Sequence, residues 1–303
     1  MRRWISAFRL RTLPLAVSSI VVGSALAYVA DHWRYSGPSC FSPIVLVLAL
    51  LTAILLQVLS NLANDLGDHQ HGTDNKDRVG PQRAVQGGAI SPAAMKRAMI
   101  VCGVLALISG CALITVALGF SITALAFLGL GLLAIGAAVK YTFGKNPYGY
   151  TGLGDVSVFL FFGIAGVCGT FYLHALRFHP AVVLPAAAFG LLSTGVLNVN
   201  NMRDIHNDAA SGKRTLVVRM GSANARIYHT ALIAVGLISL ASFSLLTQLW
   251  QSWLFLLTLP GFMIHLRKVW TTTEPRLLDP QLKTLAMTTF LTAILFSLGL
   301  ILA

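Results

Sequence analysis

The chain has 303 residues, of which 56% are hydrophobic and only 11% charged, and its mean hydropathy is +0.75. Soluble domains carry about 25% charged residues, so this composition excludes a disordered chain, a disulfide scaffold and an ordinary soluble domain; a polytopic membrane protein remains. The formal net charge of +12, from 22 Lys and Arg against 10 Asp and Glu, would point to nucleic acid in a soluble chain, but its distribution along the membrane spans accounts for it without such a partner.

Nine continuous apolar runs predict membrane helices at 14–30, 43–63, 97–118, 120–139, 153–173, 181–199, 229–249, 252–266 and 285–303. A spanning helix needs roughly 20 apolar residues. The runs are continuous rather than alternating, which fits helices and not a barrel. The expected fold class is therefore all-α: a polytopic helical bundle of about nine transmembrane helices, forming one membrane domain over 1–303. With the N-terminus in the cytoplasm, every Lys and Arg except Arg34 and Arg177 falls in a cytoplasmic segment, as the positive-inside rule demands. Residues 1–27 imitate a signal peptide, with arginines, an apolar run and Ala25-Leu26-Ala27. Cleavage there would leave the next helix starting on the wrong side, so the first helix is read as retained. Cys40, Cys102, Cys111 and Cys168 contain no CxxC pair and read as small buried hydrophobes.

The acidic residues are few and clustered. Asp65, Asp68, Asp74 and Asp77 follow the second run, Asp155 opens the fifth, and Asp204 and Asp208 follow the sixth. In NLANDLGD (61–68), Asn61, Asn64, Asp65 and Asp68 fall at i, i+3, i+4 and i+7, one helix face. In NVNNMRDIHND (198–208), Asn200, Asp204 and Asp208 fall at i, i+4 and i+8, and Asn201 lies three before Asp204. Asn64-Asp65-x-x-Asp68 also aligns with Asn200-Asn201-x-x-Asp204, a weak internal repeat that predicts two sites facing each other across the bundle. Carboxylate and amide oxygens are hard ligands suited to Mg²⁺. Asn64, Asp65, Asp68, Asp74, Asn200, Asp204 and Asp208 are the candidate metal ligands. Both clusters are followed by basic residues, and Arg78, Arg83, Lys213 and Arg214, with Asn64, Asn200 and Asn201, are candidates for holding diphosphate. There is no GxxxxGK[ST], so a nucleotide P-loop is not supported. His69, His71 and His206 read as surface residues beside an oxygen-rich site rather than zinc ligands. Between the fourth and fifth runs, KYTFGKNPYGYTGLGD (140–155) places Tyr141, Tyr148, Tyr150 and Asp155 together. These read either as interfacial anchors or as a lid meeting a polar ring substrate.

At these residues the chain resembles the UbiA-type intramembrane prenyltransferases. That family carries two Asp-rich motifs after the second and sixth of nine helices, matched by Asn64, Asp68 and Asp74 and by Asp204 and Asp208. Four longer stretches, at 8–27, 59–81, 146–163 and 197–221, are similar to the branch whose acceptor is 1,4-dihydroxy-2-naphthoate. Many relatives place the third acid of the first motif where this chain has Gly72, with Asp74 two further on, which puts the ligand role of Asp74 in question. The resemblance implies Mg²⁺-dependent transfer of a polyprenyl chain from its diphosphate to the naphthoate ring, with loss of CO₂ and pyrophosphate, in menaquinone synthesis. Asp68, Asp74, Asp204 and Asp208 would be the core of catalysis. Tyr148 would stabilise an allylic cation, Asp155 would orient or deprotonate the ring, and Arg9, Tyr141 and Tyr150 would bind the acceptor. The expected setting is a bacterial inner membrane with the site at the cytoplasmic face. Competing readings are a transferase for another aromatic acceptor, such as 4-hydroxybenzoate or a chlorin, and a secondary transporter. The transporter fits poorly, because the acids sit at same-sided helix ends rather than at the bilayer midplane.

Overall fold

A computed structural model describes residues 2–30, 40–74, 79–80 and 82–303. Its regular secondary structure over these residues is all helical. A short helix α1 (Arg2–Phe8) and a 3₁₀ turn (Leu10–Thr12) lead into α2 (Leu13–Tyr28). Then come α3 (Pro43–Gln70), α4 (Pro92–Leu118), α5 (Ile122–Lys140), α6 (Gly154–Ala175) and α7 (Val183–Arg203). The chain ends with α8 (Ile205–Ala210), α9 (Leu216–Thr247), α10 (Leu259–Thr271) and α11 (Asp279–Ile301). Ser42, Ser91, Ser121 and Thr215 start α3, α4, α5 and α9 by accepting a backbone N–H three residues on, the ordinary N-cap bond.

Among the described residues, eight helices are long and apolar enough to cross a membrane. The ninth expected span, 252–266, differs in form: it is a 3₁₀ stretch (Trp250–Thr258) running into α10 at Leu259-Pro260. Proline lacks the N–H that an uninterrupted α-helix would need there. Three helices also outrun their apolar cores. α3 continues to Gln70, α9 starts at Leu216 and α11 starts at Asp279. Hydropathy marks only the part of a helix that lies in hydrocarbon, so the apolar runs stop short of these polar turns, and at the end of α3 the helical spacing of Asn61, Asn64 and Asp68 is what showed that the helix continues.

The helix of Pro180–Arg203 is central: 72% of its most apolar window is buried, against 6% for α5. α7 packs on α9, α6, α11 and α2, while α3 pairs with α4 and α5. The phenylalanine-rich core joins Phe171, Phe189, Phe243, Phe255 and Phe296, and contains none of the acid residues. At Gly163 of α6, a side chain would strike Ala186 O at 2.5 Å, so glycine permits the close approach of α6 to α7.

Candidate active site

α3 and α7 bring the two polar stripes to one cavity of about 390 Å³. Asn64 and Asp68 line it from α3; Asn200 and Asn201 line it from α7, Asp208 from α8, and Asp204 from the break between those two helices. The motifs do face each other, as their internal repeat predicts. Asn207 Nδ2 donates to Thr73 O at 2.9 Å and ties the two segments directly. From this polar end the cavity runs between apolar side chains, among them Ile20, Leu113, Phe127, Leu130 and Leu173.

The first stripe divides. Asp65 lies about 100° round the helix from Asn64 and turns away from the cavity. Its two oxygens accept the backbone N–H groups of Ala84 and Val85, each at 3.1 Å. A buried carboxylate engaged by two amides organises the 82–85 loop, which corrects the expectation of a metal ligand at Asp65. Asp74 is also behind the lining. It lies 3.9 Å from Arg83 Nε, and Arg83 itself reaches the cavity. The N–H groups of Thr73 and Asp74 both donate to Asp68 O, closing the turn after α3. Asn64 is held by Thr142, whose hydroxyl donates to its Oδ1 at 2.8 Å. Gly67 makes that contact possible, since a side chain there would meet Thr142 O at 2.5 Å.

The second stripe rests on a residue not anticipated from the sequence. Arg203 is 1% exposed. Its Nε donates to Asp204 Oδ1 at 2.8 Å, and one terminal nitrogen donates to Asp204 Oδ2 at 2.6 Å and to Asn200 Oδ1 at 3.0 Å. The other terminal nitrogen bonds Asp279 at the start of α11. In the sequence Arg203 reads as one more loop cation and Asp279 as a stray acid. The available signal was an arginine adjoining a motif carboxylate in a chain with ten acids.

The aromatic loop is divided too. Tyr141 and Tyr148 line the cavity, edge to face with centroids 5.4 Å apart. The Tyr148 hydroxyl lies 3.0 Å from Ala137 O and 2.9 Å from Ser157 Oγ. Tyr150 is not on the lining. Its hydroxyl donates to Asp68 Oδ1 at 2.8 Å and pairs with Thr73 Oγ1 at 2.7 Å, so it faces Asp68 rather than the space an acceptor would fill. Asp155 is buried off the cavity, where Oδ2 accepts the Tyr228 hydroxyl at 3.2 Å. That corrects its expected place as a base beside the ring. Arg9 lines the cavity from the left-handed turn after α1, with φ of 50°. Lys213 lines it as well, whereas Arg214 is exposed and off the lining, and its N–H donates to Tyr150 O at 2.9 Å. His69 and His206 are exposed, and His71 Nε2 lies 3.0 Å from Gly144 O. Arg78 lies outside the described residues.

Charge at the site is strongly coupled. Burial raises the Asp208 pKa to about 6; the charges of Asp204 and Asp68 add to this and Lys213 opposes it. Lys213 Nζ is 3.5 Å from Asp208 Oδ1 and 5.3 Å from the Tyr150 ring centroid. Burial works against its ammonium, but Asp208 and then Asp68 outweigh that and hold Lys213 protonated. Burial pushes Tyr141 and Tyr150 above the ordinary phenol range, and Asp68 adds to the rise at Tyr150.

Residues 25–291 match the UbiA prenyltransferase family. The chain belongs to that family. It is 46% identical over 302 residues to the 1,4-dihydroxy-2-naphthoate octaprenyltransferase of Haemophilus influenzae, covering 99% of this chain and 96% of the other. It is 48% identical to the enzyme of the same name from Escherichia coli, covering 99% and 95%. The fold is similar to that of an apo UbiA homologue from Aeropyrum pernix, with a TM-score of 0.69, 16% identity and coverage of 97% and 98%. It also resembles a UbiA homologue from Archaeoglobus fulgidus bound to DMAPP and Mg²⁺, with a TM-score of 0.61, 15% identity and coverage of 97% and 99%.

One structural relative is thus bound to Mg²⁺, and the residues lining the cavity of this chain fit such an ion. The cavity offers carboxylate and amide oxygens, and Asp208 Oδ2 is buried without a hydrogen-bond partner. Among the described residues no three carboxylate, histidine or cysteine groups form a closed cage. Mg²⁺ is commonly held by one or two carboxylates, with phosphate oxygens and water filling its remaining positions.

Proposed function

We propose that the chain transfers a polyprenyl group from its diphosphate to 1,4-dihydroxy-2-naphthoate, releasing pyrophosphate and CO₂. The site would lie at the cytoplasmic face of a bacterial inner membrane, with the N-terminus cytoplasmic. The observation that carries the reading is the convergence of both acidic stripes, Lys213 and Arg83 on the polar end of a cavity whose other end is apolar. The acceptor rests on the names of the two relatives at 46% and 48% identity.

In this reading Asp68, Asp204 and Asp208 would hold Mg²⁺, assisted by the amide oxygens of Asn64 and Asn200. Bound Mg²⁺ supplies a Lewis acid that stabilises charge on the departing pyrophosphate. Lys213 and Arg83, which line the same cavity, hold phosphate oxygens, and Tyr150 keeps Asp68 in position by its hydrogen bond. The apolar wall receives the isoprenoid tail and excludes water from the reacting carbon. The bond from that carbon to the diphosphate breaks, its electron pair leaving with pyrophosphate. The faces of Tyr141 and Tyr148 stabilise the allylic cation. Arg9 pairs with the ring carboxylate until the ring carbon bearing it attacks the cation. Loss of that carboxylate as CO₂ restores aromaticity. This route transfers no ring proton, so it requires no base at Asp155.

The test supplies membranes containing the protein with 1,4-dihydroxy-2-naphthoate, octaprenyl diphosphate and Mg²⁺, alongside an EDTA control. Metal-dependent prenylated naphthoquinol and an equal yield of CO₂ are expected. Folded protein that prenylates 4-hydroxybenzoate but not the naphthoate would overturn the acceptor assignment.

A further inference from the structure

We infer that Arg203 and Asp279 form a positioning relay that sets the orientation and charge of Asp204, and through it the metal affinity of the site. This rests on the metal-diphosphate reading above. Arg203 has a side chain with 0% exposure, fixed by the bidentate fork on Asp204, the contact to Asn200 and the bond to Asp279. Both Asp204 oxygens accept from the guanidinium, and Oδ2 also accepts from Asn200 Nδ2 at 3.4 Å, so the fork dictates the directions from which a cation can approach the carboxylate.

Such a fork acting alone would compete with a divalent ion for Asp204. Asp279 relieves the competition by drawing the guanidinium from the opposite side. One cation is then shared by two carboxylates, and Asp204 keeps part of its negative charge for the cavity. Asp279 is the first residue of α11, so the relay also makes the charge of Asp204 depend on how α11 docks against α7. Arg11 lies 3.9 Å from the second Asp279 oxygen. It belongs to the 3₁₀ turn after Arg9, which itself lines the cavity. The last helix and the N-terminal turn therefore meet at the carboxylate that balances Arg203. Neither Arg203 nor Asp279 lines the cavity, so both act through Asp204 and are positioning residues.

The test needs no turnover. The thermal unfolding midpoint of the detergent-solubilised full-length chain is followed against Mg²⁺ concentration at fixed inorganic pyrophosphate. The native protein should be stabilised in a saturable way. Asp279→Asn keeps the size and an acceptor oxygen but removes the charge. It should raise the half-effective Mg²⁺ concentration roughly 10- to 100-fold, the usual cost of losing a partner of a metal-holding side chain, with the stabilisation recovered at high Mg²⁺. Asp279→Glu should recover most of the affinity. Asp279→Ser gives the same readout should the Asn variant fail to fold. A variant that melts earlier without metal yet titrates at the native Mg²⁺ concentration would show a purely structural ion pair and overturn the relay alone. A native protein unaffected by Mg²⁺ would overturn the metal reading and the relay with it.

Discussion

Lys213→Met is the most informative single change at the site. Nζ stands 3.5 Å from Asp208 Oδ1, and the two side chains are 11% and 2% exposed. At an effective dielectric near 20, that separation corresponds to about 5 kcal/mol of attraction. The desolvation of two buried ions consumes much of it, so the pair adds far less than that to stability. Removing one partner is a different matter, because Asp208 would then stay buried beside Asp204 and Asp68 without its cation. Asp208 then takes up a proton or leaves its position, and in either case the proposed Mg²⁺ site loses a ligand. The diphosphate loses an ammonium as well. Loss of one preorganised charge-stabilising group typically costs ~2.7–4 kcal/mol of transition-state stabilisation, or roughly 10²–10³-fold in rate. Steady-state pyrophosphate release with varied prenyl diphosphate should therefore show kcat/KM lowered by about that factor, in protein that retains its helical circular dichroism. A variant within about threefold of native kcat/KM would refute the assignment of Lys213 to the leaving group.

Three further expectations separate roles that look alike in the sequence. Asp65→Ala should act on folding: it strands two buried N–H groups, each costing about 1–3 kcal/mol, so the melting temperature falls sharply, whereas Asp68→Ala should abolish turnover with little change in melting. Arg214→Ala removes an exposed side chain but leaves the N–H that bonds Tyr150, so kcat and KM should stay within about twofold of native. Gly67→Ala puts a methyl group against Thr142 O, at 2.5 Å; it should displace the loop that holds Asn64, measurable as lower folded yield in detergent, and normal yield with normal activity would contradict that contact.

The bundle was legible because lipid imposes long apolar runs and positive charge marks their ends. The motif stripes were legible because helical spacing puts Asn64 with Asp68 and Asn200 with Asp204. Spacing alone, however, cannot say where a stripe ends. Asp65 sits at its edge, and only the folded-back 82–85 loop, with two amides in need of an acceptor, decides that it faces away. Asp155 and Tyr150 failed for a related reason. Tyr150 lies in a 3₁₀ turn and Asp155 in the first turn of α6, and what each touches depends on Asp68 and Tyr228, residues 82 and 73 positions away. Arg203 and Asp279 are 76 positions apart, and no local pattern announces a buried ion pair between helices. Lys213 was legible as a cation near a motif; its burial against Asp208 was not.

The central claim is that the two stripes act on one diphosphate. Single and paired Asp68→Asn and Asp208→Asn variants, compared by pyrophosphate release at saturating Mg²⁺, test it most directly. Groups that act as a unit lose most of their effect together. Each single variant should lose at least about 100-fold in kcat/KM, with the double variant little worse than either. Losses that multiply, or a single variant with near-native turnover, would mean that the stripes do not share one site.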